Sequence, residues 1–374
     1  MSATLQEHHG YLSDTVRLEQ FRRAIARAIK PGDVVVDVGC GFAVLGLMCL
    51  EAGAARVYGI DRTEAIDVAR EAARRAGFGT RYHCIREHSF RADLPELADV
   101  IICDHVGYFG FDYGVIATMG DARRRFLKPG GKVIPGRITL QLAGIASQDC
   151  RRKAEAWSAA DMPAEYHWLR EYGINSKHTH TYPEAALLTR QADLGAIDLT
   201  AENPDHMRYD VDLVATADGA LDGFGGWFDC EIVPGVHMTN SPVAAIRIER
   251  DQVFLAFDRP LDVMAGDTIK ASINLRHDVG TIAWTAQNTR TGERRKQSTW
   301  RSQILSEADL AHATARSTQL SRVGQARNLV LSYVDGRRTR SEIEHDILRD
   351  HPGLLPSEAE IRSFVKAELA RSTR

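Results

Sequence analysis

The chain has 374 residues, more than one ordinary hydrophobic core organises, so two or three domains are expected. Hydrophobic residues make up 44% and charged residues 26%, as in globular proteins that live in water. The net charge of −3 speaks against a surface that binds nucleic acid over its whole extent.

The first ten residues, MSATLQEHHG, lack the basic-then-apolar order of a secretory signal, and no apolar run is long enough to cross a bilayer. A cytoplasmic protein without a membrane partner is the expectation. The cysteines (Cys40, Cys49, Cys84, Cys103, Cys150, Cys230) are widely spaced with no CxxC pair, which reads as free thiols rather than a disulfide frame or a metal site.

Residues 33–62 read DVVVDVGCGFAVLGLMCLEAGAARVYGIDR. The run Val34–Val38 predicts a strand buried on both faces, Gly39 and Gly41 a tight turn, Leu45–Ala52 a helix stopped by Gly53, and Arg56–Ile60 a second strand that ends in Asp61. Strand, turn, helix, strand and acid in this order mark a nucleotide-binding doubly wound unit. The dinucleotide fingerprint wants a third glycine where Val44 stands, and its absence, with Asp37 just before the turn, favours a cofactor without phosphates. ADVIICD (98–104) adds a buried strand, and FLKPGGKVIP (126–135) a glycine-rich turn with the next strand.

The stretch DVGCG followed by GID resembles the class I S-adenosylmethionine (SAM) methyltransferases. That resemblance implies SAM as cofactor, with Asp37 and the turn Gly39-Cys40-Gly41 near its methionine part. It also implies Asp61, with Arg62 beside it, accepting from both ribose hydroxyls. HGYLSDTVRLEQFRRAI (9–25) narrows the resemblance to the N-terminal helix of protein arginine methyltransferases and their bacterial relatives. In that family an arginine of this segment pairs with the SAM carboxylate, and Arg17 matches it. Ser89 and Phe90 fall near the family's adenine contact, although an acidic residue is usual at the position of Phe90.

Beyond Ile138 the texture changes. ITLQLA, QVFLAFD, TIKASINL and TIAWTA alternate apolar and polar residues, the period of antiparallel strands, and suit the β-barrel that follows the cofactor domain in this family. Residues about 150–190 occupy the place of the family's dimerisation arm, which implies a homodimer. His178 and His180 within it, with no carboxylate or cysteine close by, read as polar surface. The expected organisation is therefore α/β, with a Rossmann-like SAM-binding domain at 1–137, an antiparallel β-barrel at 138–310 and a small C-terminal helical domain at 311–374. DGRRTRSEIEHDI near the end resembles the helical half of PqqD-like winged-helix domains, which implies a leader peptide as partner. A helical cap on the barrel is the plainer alternative. Ser357 and Glu360 read as a capping box opening the final helix.

The segment CDHVGYFGFDY (103–113) stands where the family carries its two-glutamate loop. Gly107, Tyr108 and Phe109 keep the frame, but Asp104 replaces the first glutamate and Tyr113 the second, while Asp112 lies one position early. The family's Thr-His-Trp triplet should fall near 246–250, where IRIER stands. A shorter, single carboxylate grips a guanidinium poorly, so N-methylation of a peptide or amine-bearing metabolite is expected, with a ribosomal peptide precursor as one such substrate. In that reading Asp104 anchors the amine, His105 takes its proton and Tyr113 orients it. Peptidyl-arginine methylation, O-methylation of a carboxylate or hydroxyl, and a non-catalytic peptide-binding role remain open alternatives.

Overall fold

The computed structural model describes residues 3–305 and 319–373, which form two compact units, 1–303 and 304–374. The boundary expected at 310/311 lies outside the described residues.

The first unit opens with two helices, α1 (Ala3–Ser13) and α2 (Thr15–Ala28), where a single helix was expected. Asp14 causes the break: its Oδ1 accepts the backbone N–H of Arg17 at 3.0 Å and so caps α2, leaving its own backbone non-helical. The parallel sheet follows: β1 (Val34–Val38), β2 (Arg56–Ile60), β3 (Tyr82–Ile85), β4 (Ala98–Ile102) and β5 (Leu127–Ile134), in the order β3-β2-β1-β4-β5. All five positions of β1 are buried, which is why VVVDV shows no alternation. Between these strands run α3 (Val44–Glu51), α4 (Ala65–Arg75) and α5 (Val115–Phe126). The strand order reverses between β1 and β4, so the loops after their carboxyl ends form the crevice where such sheets bind ligands.

The close approach of α3 to the sheet is made at Gly46, two residues after the position where the fingerprint places a glycine. A Cβ there would lie 2.6 Å from the Tyr82 ring and 2.9 Å from Val57.

The antiparallel half builds two sheets. One has the order β7-β12-β10-β6-β8 and consists of β6 (Arg137–Ile145), β7 (Lys177–His180), β8 (Ala192–Asp198), β10 (Gly219–Val233) and β12 (Gln252–Val263), with β11 (Val236–Thr239) paired to β10. The other joins β9 (His206–Val214), β13 (Thr268–Arg276), β14 (Thr281–Asn288) and β15 (Arg294–Ser298) in the order β15-β14-β13-β9. Contacts of β8 with β9 and of β12 with β15 bring the sheets together at both edges, giving a flattened barrel. The alternating runs of the sequence lie in β6, β12, β13 and β14. One contiguous core joins this barrel to the parallel sheet, with Ile138 and Leu140 of β6 buried alongside Val106 and Phe109. Between β6 and β7 lie the short helices α6 (Gln148–Ala154) and α7 (Arg170–Ile174). Here Trp157, Tyr166 and Trp168 stay exposed.

In the second unit, α8 (Arg322–Ser332), α9 (Arg340–Asp350) and α10 (Glu358–Ser372) bury Val330, Ile343, Ile347, Ile361, Val365 and Leu369 against one another. The described residues of this unit include no strand. Ser357 does cap α10, accepting from Glu360 N at 3.2 Å, but the reciprocal capping box expected there is made instead at Thr339 and Glu342, opening α9. Arg338 faces Asp335 and Asp346 of its own unit.

Candidate active site at the switch point

A cavity of about 520 Å³ opens over the carboxyl ends of β1, β2 and β4, within the roughly 300–1,000 Å³ range of small-molecule sites. Its floor is the turn after β1. The N–H groups of Gly39 and Cys40 both donate to Ile60 O, at 2.8 and 3.1 Å, and Gly41 N donates to Asp61 Oδ2 at 3.0 Å. Gly39 and Gly41 have φ of +68° and +51°, a region costly for any other residue. The Cβ that each lacks would strike an imidazole: His105 Cε1 at 2.1 Å over Gly39, and His8 Cε1 at 2.5 Å over Gly41. The bare backbone of this turn thus faces the cavity between two aromatic walls.

Asp37 lies beneath the turn. Its Oδ2 accepts from Gly46 N at 2.9 Å and from the Tyr82 hydroxyl at 3.4 Å. Burial pushes its carboxyl up to about 7, with the Gly46 N–H opposing that rise. It ties α3 to the sheet through Gly46 and, as expected of a cofactor-side residue, also lines the cavity. Asp61 spends both lone pairs of Oδ1 on the Thr63 N–H and hydroxyl, at 2.8 and 2.7 Å. Oδ2 keeps one lone pair free, so a second ribose hydroxyl is received only by displacing the Thr63 hydroxyl.

Arg62, beside Asp61, lines the cavity, and of the adenine-side residues Ser89 does but Phe90 does not. The short turn 89–91, capped by the ring nitrogen of His88, swings Phe90 outward to 47% exposure, and the acidic residue on this wall is Glu87.

On the opposite wall stands the loop 103–113. Two assignments made separately from the sequence meet here: Arg17 Nε pairs with Asp104 Oδ2, their side chains 4% and 9% exposed. Arg17 Nη1 donates to Tyr11 O at 2.9 Å, which leaves Nη2 for a carboxylate in the cavity. Asp104 is therefore not an open anchor for a cation. Its Oδ1, buried and without a hydrogen-bond partner, is the one acceptor it still offers. His105 also lines this wall, and its ring stands 6.4 Å edge-on from Tyr113. Tyr113 is 57% exposed at the cavity mouth, with φ +55°. Desolvation first and Tyr108 second push its phenol up, so it stays neutral.

Asp112 turns away from the cavity and shapes the loop. Its Oδ2 accepts from Tyr108 N and Phe109 N, at 2.8 and 2.7 Å, while Oδ1 pairs with Lys177 of β7. A Cβ on Gly107 would meet the Asp112 Cβ at 2.1 Å, so the loop closes around this carboxylate only with glycine there. Asn240 fastens the loop to the barrel, donating to Tyr108 O at 2.9 Å.

Sequence reasoning missed Arg250. It belongs to the IRIER segment, where the expected triplet is absent, yet the segment reaches the site: Glu249 N donates to Asp14 Oδ2 at 2.9 Å. Arg250 lines the cavity with Nη2 3.7 Å from Asp104 Oδ2 and Nη1 3.3 Å from Gly107 O. A buried arginine in place of the triplet was the available signal. His8, Glu7 and Tyr11 of α1 also line the cavity and carried no separate signal. His178 is held by Gly173 O at 2.7 Å, and the described residues hold no cluster of ligands suited to a metal.

These residues suit SAM. A carboxylate with a free lone pair awaits a ribose hydroxyl, an arginine nitrogen awaits the amino-acid carboxylate, and a side-chain-free turn lets the ligand approach the backbone. A bare turn and a single terminal acid on a doubly wound sheet define a nucleoside-type cofactor site, and comparisons with known proteins specify it. A family profile described as a methyltransferase domain matches residues 29–173. The chain is 29% identical over 238 residues to the probable protein arginine N-methyltransferase 6 of Arabidopsis thaliana, covering 60% of this chain and 54% of that protein's length. It is 26% identical over 279 residues to protein arginine N-methyltransferase 1 of Dictyostelium discoideum, covering 71% and 80%. The PRMT1 enzyme–prozyme heterotetrameric complex of Trypanosoma brucei with AdoHcy superposes with a TM-score of 0.69 at 21% identity, covering 78% of this chain and 96% of the other. Arabidopsis thaliana protein arginine methyltransferase 10 gives 0.67 at 21%, covering 79% and 98%. The chain is a SAM-dependent methyltransferase with the arginine methyltransferase-like fold.

Proposed function

We propose that the chain N-methylates an amine-bearing peptide or metabolite that enters the cavity uncharged. The observation that carries this reading is the state of Asp104. One oxygen is matched by Arg17, and the other is buried without a partner beside the cofactor half of the same cavity. Such an oxygen accepts one N–H from a neutral amine, whereas a guanidinium would bring a full charge to a carboxylate already neutralised.

The cofactor would be held by Arg17, Asp61 and the Gly39–Gly41 turn, and it supplies an electrophilic methyl group for the acceptor's lone pair. The chain's own work is to orient the amine on Asp104 Oδ1, to take its proton on the His105 imidazole and to keep the acceptor at the mouth with Tyr113. With an arginine-free amine peptide as acceptor, Asp104→Ala and His105→Gln should each lower kcat by about 100-fold or more, while SAM binding stays within a factor of a few. Wild-type turnover in either variant would remove these roles.

Peptidyl-arginine methylation is the second reading. It is favoured by the relatives, which are named protein arginine N-methyltransferases. The loss of both loop glutamates counts against it. Three wider assignments complete the proposal. A homodimer would form through the arm at about 150–190, where Trp157, Tyr166 and Trp168 are exposed. The C-terminal helical unit would hold the leader of a peptide precursor. The protein would work in the cytoplasm, in keeping with described helices none of which is long and apolar enough to cross a membrane.

A further inference from the structure

We infer that Arg250 selects the acceptor by charge, neutralising Asp104 so that the cavity refuses a cationic substrate. The inference rests on the reading of this cavity as the site of methyl transfer.

Two arginines far apart in sequence, with the Tyr11 ring between them, converge on one carboxylate. Arg17 of α2 takes Asp104 Oδ2. Arg250 approaches the same oxygen at 3.7 Å from the barrel side. The Tyr11 ring of α1 lies 5.6 Å from both guanidinium carbons. Two guanidiniums therefore face one carboxylate, an excess of one positive charge. When the SAM carboxylate draws on Arg17, Asp104 and Arg250 still balance, and the sulfonium adds a further positive charge. Of the other acidic residues lining the cavity, Asp37, Asp61, Glu64 and Glu87 belong to β1 or to the segments after β2 and β3 rather than to the loop 103–113, and Glu7 accepts from the Tyr11 hydroxyl at 3.0 Å. A guanidinium or ammonium entering beside Asp104 thus meets a carboxylate already matched by two guanidiniums, and in a partly buried site their repulsion is not screened away.

The position of Arg250 is built rather than incidental. Ile248 is 2% exposed and donates its N–H to Thr239 O at 2.9 Å. Glu249 N is fixed on Asp14, and Arg250 O receives Gln252 Nε2 at 3.2 Å. The Arg250 side chain is itself only 9% exposed. A backbone clamped on both sides of residue 250 delivers the guanidinium to the acceptor wall and holds it there.

The test uses the full chain loaded with S-adenosylhomocysteine and the probe ethylguanidinium, with binding read by calorimetry so that turnover is not required. Wild type and Arg250→Lys should bind the probe weakly. Arg250→Met should bind it at least about tenfold tighter, a change of about 1.4 kcal/mol. The double variant Arg250→Met/Asp104→Asn should return to the wild-type level. If Arg250→Met loads S-adenosylhomocysteine normally yet gains no affinity for the probe, the inference is overturned. If that variant does not load, Asp104→Asn decides: loaded with S-adenosylhomocysteine, whose carboxylate takes Arg17, it leaves the Arg250 guanidinium unmatched and should acquire acetate binding, and no acetate binding overturns the inference. Failure of the amine reading would look different, with the charge preference intact and arginine-free amines unmethylated.

Discussion

Replacing Arg17 with methionine removes the closest partner of a carboxylate that is 91% buried. The variant keeps the length and apolar stem of the side chain, so the α2 core around Phe21 and Ile25 is preserved. What changes is that Asp104 keeps only Arg250, at 3.7 Å. Breaking one side of a buried ion pair costs roughly 3–5 kcal/mol, and the loss of cation–π contacts with Tyr11 and Phe21 adds about 0.5–1 kcal/mol each. Urea unfolding of the first unit should register a loss in that range. Asp104→Asn in the same background should restore part of it, with a coupling energy of roughly 1–3 kcal/mol between the two sites. The same proteins separate structure from binding: SAM affinity should fall in both the Arg17→Met single and the double variant, because no nitrogen is left for its carboxylate. Additive effects, with coupling under about 0.5 kcal/mol, would refute the claim that Arg17 and Asp104 form the charged centre of the site.

Three further outcomes follow from the geometry. The Asp37 carboxyl, held up to about 7 by burial against an ordinary 3.8, keeps a proton in the folded state that the unfolded chain releases. Its contribution is fully present below pH 3.8 and lost as pH rises through about 7, by at most about 4 kcal/mol at 1.36 kcal/mol per unit. Asp37→Asn should therefore flatten the fall in urea stability between pH 5 and pH 8, and equal slopes in the two proteins would contradict this. Asp112→Asn weakens the bond to Lys177 and the closure of the loop over Tyr108 and Phe109. Acceptor turnover should drop about 100-fold from misplacement of roughly an ångström, with SAM affinity unchanged in calorimetry, whereas an equal loss of both would place Asp112 in cofactor binding. Gly39→Ala meets both a positive φ and the His105 ring, so it should lose about 1–2 kcal/mol of stability and most SAM binding, measured by melting with and without SAM. Normal SAM binding would show that the ligand does not use the turn.

The parallel sheet was legible because its signals are local: VVVDV, the paired glycines and the terminal acid sit within thirty residues, and each reports on its own backbone. Four of the barrel strands, β6, β12, β13 and β14, were legible for the same reason, through their alternation. What escaped notice depends on distance. Arg17 and Asp104 are 87 residues apart, and their pairing follows from how α2 packs against α3, β10 and β11, which no local pattern encodes. Arg250 comes from the barrel half of the chain, and its role appears only once Asp14 and Asn240 are seen to fasten its segment. The outward turn of Phe90 and the break at Asp14 each hang on one side-chain cap, a feature that composition expresses weakly.

The central claim is tested most directly by offering the purified wild-type chain and SAM three acceptor pools: arginine-containing peptides, amine-terminated peptides without arginine, and small carboxylic acids. Methyl incorporation is read by mass spectrometry. The account predicts labelling of the arginine-free amines. Labelling confined to the arginine pool would contradict it and return the site to the chemistry for which its relatives are named.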